Sequence, residues 1–226
     1  MKKRGKSPMN YEVFETKERV LADNAAEAER VRSLTGDKGV FFINLMASPG
    51  AGKTTTLERL IALLKDKHSI GVMEADADGE VDAARVEAAG ARAIQLHTGG
   101  LCHMDADMTR RGLERLGLDG LDIVFLENVG NLVCPAEFDT GADMKLVILS
   151  VPEGDDKPLK YPLMFTVADA LIVNKIDTAP VFDFDLEALK KRAEALNPGI
   201  PVFPVSAKTG EGFGALAGYI EGRTKG

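Results

Sequence analysis

The residue pattern with the clearest chemical meaning runs from Ala47 to Thr54, where ASPGAGKT follows an apolar run and precedes an amphipathic stretch. Glycines in this loop let the backbone curl so that successive amide N–H groups converge on phosphate oxygens. Lys53 is placed to reach the terminal phosphates and Thr54 to ligate magnesium, although Ala47 replaces the first glycine of the GxxxxGKT pattern. We interpret the stretch as a variant phosphate-binding loop. Its predicted nucleotide-binding residues are Gly50, Ala51, Gly52, Lys53, Thr54 and Thr55.

Two later tetrapeptides predict which base is bound. An apolar run ends in Asn174, Lys175 and Asp177. The Asp177 carboxylate is a bidentate acceptor that matches the two neighbouring donors of the guanine edge, whereas adenine offers no such pair. Lys175 can lay its methylene stem on the purine face, and Asn174 can brace the loop. Further on, Ser206, Ala207 and Lys208 resemble the second guanine-contacting loop of GTPases. In this order behind a phosphate loop, the motifs favour GTP over ATP.

Magnesium requires carboxylates at strand ends beside the loop, and two are available. Asp76 follows one predicted strand, and Glu127 follows another and opens the sequence ENVG. With Thr54 they form the predicted magnesium site, and Gly130 can offer its N–H to the γ-phosphate. We predict Lys53, Asp76 and Glu127 as catalytic residues; the alternative is that the two acids are solvated loop residues. Neither a water-orienting Gln nor an arginine finger can be assigned, so we expect slow intrinsic turnover.

The two cysteines of the chain form a second candidate site. Cys102 stands next to His103 at the start of a predicted helix, and Cys134 lies just past ENVG. Thiolate and imidazole suit zinc or nickel, and a helix N-terminus lowers the pKa of a cysteine. These three ligands are one short of a tetrahedral set, which a shared site across a two-fold interface would complete. The alternative is that separated cysteines are small buried hydrophobic residues.

The composition of the chain narrows the class of protein. With 226 residues and 45% hydrophobic content it can bury one substantial core. Its net charge of −7 argues against nucleic acid as a partner. We see neither a long apolar run nor a signal peptide, and therefore expect a cytoplasmic protein with no membrane partner. We divide the chain into an N-terminal extension with a helix (1–36) and a P-loop GTPase domain (37–226).

Strand and helix patterns alternate after the phosphate loop, which predicts an α/β fold with a mostly parallel sheet and helices on both faces. Ahead of the loop, Asn10 to Leu34 predicts a helix, for which packing on the domain is favoured over binding a partner. The predicted strands are Val40–Met46, Ile70–Ala75, Ala91–Leu96, Leu121–Leu126, Met144–Val151, Ala170–Val173 and Pro201–Pro204. The further predicted helices are Glu80–Ala89, Cys102–Leu116, Tyr161–Val167, Leu186–Leu196 and Phe213–Glu221.

Taken together, the motifs resemble those of the HypB family, the nickel-incorporation GTPases of hydrogenase maturation. The likeness extends from about Val20 to the C-terminus. Urease accessory GTPases, the nearest relatives of that family, carry a CPH-type metal motif and do not look like ENVGNLVCPA. The resemblance implies a P-loop NTPase of the SIMIBI class, which includes signal-recognition and MinD-like proteins. It is carried by ASPGAGKTTT, GLCHMDADM, ENVGNLVCPAEFD, PEGDDKPLKYP, VNKID and NPGIPVFPVSAKTGEGF.

The resemblance also implies a function and partners. The family's metal ligands match Cys102, His103 and Cys134, and GTP binding promotes a homodimer. Nickel would be delivered to a [NiFe]-hydrogenase large subunit with a small zinc-containing accessory protein as partner; whether nickel or zinc occupies the site stays open. Met1 to Gly39 contain neither Cys nor His, so we expect no separate CxxCGC site or His-rich store there. A non-enzymatic, nucleotide-gated metal-binding module, a urease-type accessory GTPase and a regulator with core cysteines remain alternatives.

Overall fold

A parallel sheet of seven strands forms the centre of the computed structural model, which describes residues 16–76 and 81–224. The strand order is β3-β2-β4-β1-β5-β6-β7 and each pairing is parallel. The predicted parallel sheet is therefore confirmed, and the carboxyl ends of its strands meet at one edge. The strands are β1 (Phe41–Ala47), β2 (Ile70–Asp76), β3 (Arg92–His97), β4 (Ile123–Glu127), β5 (Met144–Ser150), β6 (Ala170–Asn174) and β7 (Val202–Pro204).

Helices connect the strands and differ from the prediction at several points. The short helix Cys134–Glu137 was not predicted, and the first helix ends at Asp37 instead of Leu34. The helix predicted to begin at Cys102 begins at Ala106, because the Asp105 side chain accepts from the amide of Met108 and caps it. The helix predicted from Tyr161 is preceded by a separate short one, and prolines stand in the first turn of both. The helices are α1 (Thr16–Asp37), α2 (Lys53–Leu64), α3 (Val81–Ala89), α4 (Ala106–Leu116), α5 (Cys134–Glu137), α6 (Lys157–Lys160), α7 (Pro162–Thr166), α8 (Leu186–Leu196) and α9 (Phe213–Glu221). The predicted helix starts at Asn10 and Glu80 lie outside the described residues.

Strand β1 shows how the sequence fills both faces of the sheet. All seven of its residues are buried, because the strand is central and covered on both sides. Phe41, Ile43 and Leu45 point to the face covered by α2, α3 and α9. Phe42 and Met46 point to the other face, where the first packs among residues of α1 and α4 and the second among residues of α7 and α8. The prediction of helices on both faces is confirmed.

Helix α1 packs on the body of the domain, as favoured from the sequence. Its Ala28 and Val31 are fully buried. A side chain at Gly141 would lie 2.6 Å from both the Ala28 carbonyl oxygen and Val31 Cβ, so only glycine permits this approach. Arg110 of α4 pairs with Glu27 of α1. Among the described helices, none is long and apolar enough to cross a membrane.

Candidate functional site

The phosphate-binding loop joins the end of β1 to the start of α2. Gly52 is the N-cap residue of α2 and has φ 95°, in the left-handed region. A Cβ at this position would lie 2.5 Å from Asn174 Nδ2, so glycine is required for both its backbone angle and its space. The helix that follows buries Leu57, Leu60 and Leu64 against the sheet, which fixes the direction of its N-terminus. That terminus and the loop amides provide an anion site at the carboxyl edge of the sheet.

Two neighbouring cavities lie beside this loop. One of about 390 Å³ is lined by the loop residues Gly50, Gly52, Lys53, Thr54 and Thr55 together with Asp82, Arg85, Glu127 and Lys175. The other, of about 250 Å³, is lined by Pro49, Lys53, Glu74, Ala75, Asp76, Asp82, Gln95, Glu127, Asn128, Val129 and Gly130. The two cavities share Lys53, Asp82 and Glu127, and every predicted catalytic and magnesium residue lines the depression that they form together. Arg85 was not predicted; it is held by Glu58 through two hydrogen bonds of 3.0 and 2.8 Å.

Lys53, Thr54 and Glu127 form the polar centre of the depression. Thr54 Oγ1 donates to Glu127 Oε1 over 3.0 Å, and Lys53 Nζ lies 3.9 Å from the same oxygen. Glu127 is buried at 5% exposure, so the alternative of a solvated loop acid is wrong for this residue. Asp76, at the end of β2, is exposed and lines the smaller cavity. A hydroxyl and carboxylates in this arrangement are hard oxygen ligands of the kind that magnesium prefers.

The two predicted base-recognition motifs meet at the opposite side of the loop. Asn174 is buried, and its Nδ2 donates to the Ala51 carbonyl over 2.9 Å. Its Oδ1 accepts from the amides of Lys175 and Ala207, so one side chain ties three loops together. The prediction that Asn174 braces the loop is confirmed. Each of these three hydrogen bonds is made to a backbone group of the protein.

Asp177 is oriented by the second motif. Ser206 Oγ, which is buried, donates to Asp177 Oδ1 over 2.6 Å. Lys175 has φ 61° and donates from Nζ to the Gly50 carbonyl over 2.7 Å, while Lys208 is exposed. Arg59 of α2, which sequence reasoning missed, donates to the Ala207 and Lys208 carbonyls over 2.8 and 2.9 Å. These contacts hold an acidic side chain in a fixed orientation, as recognition of paired donors requires.

Cys102, His103 and Cys134 converge although 32 positions separate the two cysteines. One ligand atom from each lies within 4.8 Å of the others, and the two sulfur atoms are 2.9 Å apart. Both thiols are free, with Cys102 exposed and Cys134 half-buried, so the interpretation of the cysteines as core residues is wrong. Cys102 and His103 lie in the loop before α4, not on a helix start; Cys134 instead begins α5. The donor set fits nickel or zinc.

The protonation of this cluster follows from its surroundings. Burial lowers the pKa of His103, against the opposing effect of Asp105, and so favours the neutral imidazole that binds metal. Its ring stacks on Phe138 with centroids 4.0 Å apart. The hydrogen bond with Cys102, together with burial, raises the pKa of the Cys134 thiol. A metal ion that bound Cys134 would therefore have to displace its thiol proton.

Comparison with known proteins identifies the family. A model of the CobW/HypB/UreG nucleotide-binding domain matches residues 41–204. The chain is 47% identical over 214 residues to the hydrogenase maturation factor HypB of Azotobacter chroococcum, covering 94% of this chain and 68% of that protein. The chain belongs to the HypB family of hydrogenase maturation factors. The family predicted from the motifs is confirmed.

Solved structures agree with this assignment. The crystal structure of HypB from Helicobacter pylori in complex with nickel has a TM-score of 0.84 and 39% identity, and the match covers 89% of this chain and 95% of that one. HypB from Archaeoglobus fulgidus has a TM-score of 0.85 and 36% identity, covering 91% and 100%. The signal recognition particle 54 kDa protein of Aeropyrum pernix, at 16% identity and a TM-score of 0.55, shares the fold.

In this HypB-family chain the cluster of Cys102, His103 and Cys134 is joined to the phosphate loop through Gly130 and Asn131, which lie between Glu127 and Cys134. The Asn131 amide donates to the Ala47 carbonyl over 2.8 Å, and Asn131 Nδ2 donates to the Cys102 carbonyl over 3.3 Å. Gly130 packs so closely on Pro49 that a Cβ would lie 3.0 Å from the Pro49 nitrogen. A shift of this segment would therefore change the geometry of both the phosphate loop and the cysteine cluster.

Glu74 also lines the smaller cavity, although sequence reasoning did not predict it as a site residue. It is opposite Glu127 in the pairing of β2 with β4, and opposite Gln95 in the pairing with β3. All three line the smaller cavity, and Glu74 Oε1, Glu127 Oε2 and Gln95 Oε1 accept no hydrogen bond from any residue that the structure describes. Burial and the Glu127 carboxylate raise the pKa of Glu74 to about 10, and burial raises that of Glu127 despite Lys53. Glu74 therefore keeps its proton at neutral pH.

This buried acid makes the free energy of unfolding depend on pH. Between pH 4.5 and about 10 the folded state keeps a proton on Glu74 that the unfolded chain has released. The stability of the nucleotide-free chain should therefore fall as pH rises through that window. Each pH unit above 4.5 costs the folded state about 1.4 kcal/mol, so Glu74→Gln, which imitates the neutral acid, should remove this dependence and stabilise the chain at pH 8.5 by about 5 kcal/mol. Urea unfolding of both chains at pH 6 and pH 8.5 measures the free energy of unfolding and its change with pH. Exposed Glu87→Gln is the control, and an unchanged pH slope in Glu74→Gln would contradict the argument.

Proposed function

We propose that this chain is a GTP-hydrolysing metallochaperone that binds nickel, or zinc at the same site, and delivers nickel during [NiFe]-hydrogenase maturation. The observation that carries the proposal is the link between Cys102 and the phosphate loop through Asn131. One segment contacts both the metal ligands and the loop that would hold the phosphates. A change in nucleotide state can therefore alter the geometry of the metal site, and by thermodynamic reciprocity metal would alter GTP affinity.

Guanine specificity is supported by the fixed Asp177 carboxylate. Because Ser206 donates to one of its oxygens, the side chain is held in one orientation at the end of β6. Lys175 lies at the same edge with its ammonium group on the phosphate loop. Ala207 and Lys208 complete the second base-contacting loop.

Hydrolysis is assigned to the polar centre beside the phosphate loop. Lys53 and the amides of Gly50 to Thr55 would hold the phosphates, and Gly130 would meet the γ-phosphate. Thr54, Asp76 and Glu127 would hold Mg²⁺ directly or through water, and the metal ion would neutralise charge that develops on the phosphoryl group. Glu127 Oε2 has no hydrogen-bond partner among the residues that the structure describes, which supports this role, since a ligand in the cavity would satisfy it.

Nickel binding is assigned to Cys102, His103 and Cys134. The solved HypB of Helicobacter pylori, with 39% identity, is a nickel complex, and the donor set of this chain suits the same ion. Three ligands leave a tetrahedral shell incomplete, which supports a GTP-dependent homodimer that shares the metal. The wider partners proposed are a small zinc-containing accessory protein and the large subunit of the hydrogenase.

A combined measurement of mass and turnover tests the proposal. Light scattering would measure the mass of the chain in solution with GDP or a non-hydrolysable GTP analogue, each with and without one equivalent of nickel. Phosphate release would be measured separately with GTP and with ATP. We expect slow release from GTP but not ATP, and a dimer that requires the GTP analogue or nickel and is lost in Cys102→Ala. A mass indifferent to nucleotide and metal, or equal use of ATP, would overturn the proposal.

A further inference from the structure

One side chain of α1 bridges the two loops that carry the metal ligands. Asn24 Oδ1 accepts from the amide of Ala106 over 2.9 Å, and Asn24 Nδ2 donates to the Asp139 carbonyl over 2.9 Å. Ala106 begins α4, three positions after His103, and Asp139 lies five positions after Cys134. The amide group of Asn24 therefore contacts the end of each ligand-bearing loop. Neither of these hydrogen bonds is made to a predicted ligand itself.

The second anchor, Asp139, is fixed to the same helix by its side chain. Arg32 pairs with the Asp139 carboxylate, which also accepts from the Gly141 amide over 3.1 Å. Burial raises the pKa of Asp139, but Arg32 and Gly141 outweigh it and hold that pKa below its ordinary value. The carboxylate thus stays charged and bound to α1. Since α1 lies tightly on Gly141, the helix forms a rigid support for both loops.

We propose that Asn24 is a positioning residue for the metal site. Asn24 holds the amide of Ala106 and the carbonyl of Asp139 at a fixed separation. It thereby sets the distance between the loop that carries Cys102 and His103 and the loop that carries Cys134. Residues behind metal ligands orient them, and their loss weakens metal binding without removing a ligand. The inference rests on the proposed function, because it needs the cluster to bind metal.

The test compares nickel binding by the full chain and by three variants, with nickel alone as the probe and GDP present throughout. Asn24→Ala removes both hydrogen bonds, and Asn24→Asp retains an acceptor for Ala106 but loses the donor to Asp139. Asp23→Ala, at the exposed neighbouring position of α1, is the matched control. Calorimetry gives the affinity, and near-ultraviolet thiolate-to-nickel absorption reports the geometry of the site.

We expect Asn24→Ala to bind nickel about tenfold more weakly, with a shifted absorption band, and Asn24→Asp to show a smaller loss in the same direction. The helix content should be unchanged, since alanine is a better helix former than asparagine. GTP affinity should also be unchanged, because the hydrogen bonds of Asn24 are made to Ala106 and Asp139 and not to the phosphate loop. Nickel binding by Asn24→Ala that equals that of Asp23→Ala would overturn the inference and leave the proposed function intact. Loss of GTP affinity together with nickel binding would show a folding role and also overturn it. Failure of the unsubstituted chain to bind nickel would overturn both.

Discussion

Cys134→Ala should bind nickel at least about 100-fold more weakly than the unsubstituted chain. Four-ligand structural zinc sites are worth about 10–16 kcal/mol, so one ligand contributes roughly 3 kcal/mol, or about 100-fold in affinity. Here the sulfur atoms of Cys102 and Cys134 lie 2.9 Å apart, and the chain has 2 cysteines in all. The substitution therefore leaves one thiol and one imidazole. Competition with a chelating dye at fixed pH measures the affinity.

The neighbouring residue offers a control for this prediction. Val133 is 50% exposed, so Val133→Ala changes the same loop without removing a ligand and should bind nickel normally. Because Asn131 joins the cluster to the phosphate loop, the effect of nickel on GTP affinity should also disappear in Cys134→Ala. If nickel still changed GTP affinity in Cys134→Ala as it does in the unsubstituted chain, the coupling through this segment would have to be abandoned.

Asp177→Asn should weaken GTP binding by about 100-fold while improving the binding of xanthosine triphosphate. A carboxylate accepts from both guanine donors, and hydrogen bonds to a charged group contribute about 1.5–3 kcal/mol each. The amide would lose one acceptor and place its own N–H₂ against a guanine donor. Xanthine carries a carbonyl at that position and matches the amide. Titration with fluorescent forms of both nucleotides and of ATP measures the change.

Two observations separate this effect from a loss of folding. Asp183→Asn, at an exposed position on the following loop, removes a carboxylate of the same kind and should leave GTP affinity unchanged. The Ser206 hydroxyl can still donate to an amide oxygen at 177, so the loop should keep its structure. If Asp177→Asn bound GTP as tightly as the unsubstituted chain does, and xanthosine triphosphate no more tightly, Asp177 would be excluded from base recognition.

The local patterns in the chain were sufficient to predict the fold and most of the nucleotide site. A buried β-rich run followed by a glycine loop and a helical apolar stripe predicts the strand, loop and helix that the structure shows from Phe41 to Leu64. Strand ends are marked by a change from apolar to polar residues, which is why Glu127 and Asn174 were placed at the correct edge. The helix start at Cys102 was wrong because the Asp105 cap was not recognised, and caps are set by one side chain.

Other features of the site could be known only from the tertiary structure, because they depend on contacts between segments that are distant in the chain. In the sequence Glu74 is one acid within a strand, and only the pairing of β2 with β4 places it beside Glu127, whose carboxylate helps to raise the pKa of Glu74. Likewise, 82 positions separate Asn24 from Ala106 and 115 separate it from Asp139. Periodicity reports which face of an element is apolar, because burial acts on each residue by itself. Hydrogen bonds and shared protons require two groups within about 3 Å, and the packing of helices on the sheet sets that distance.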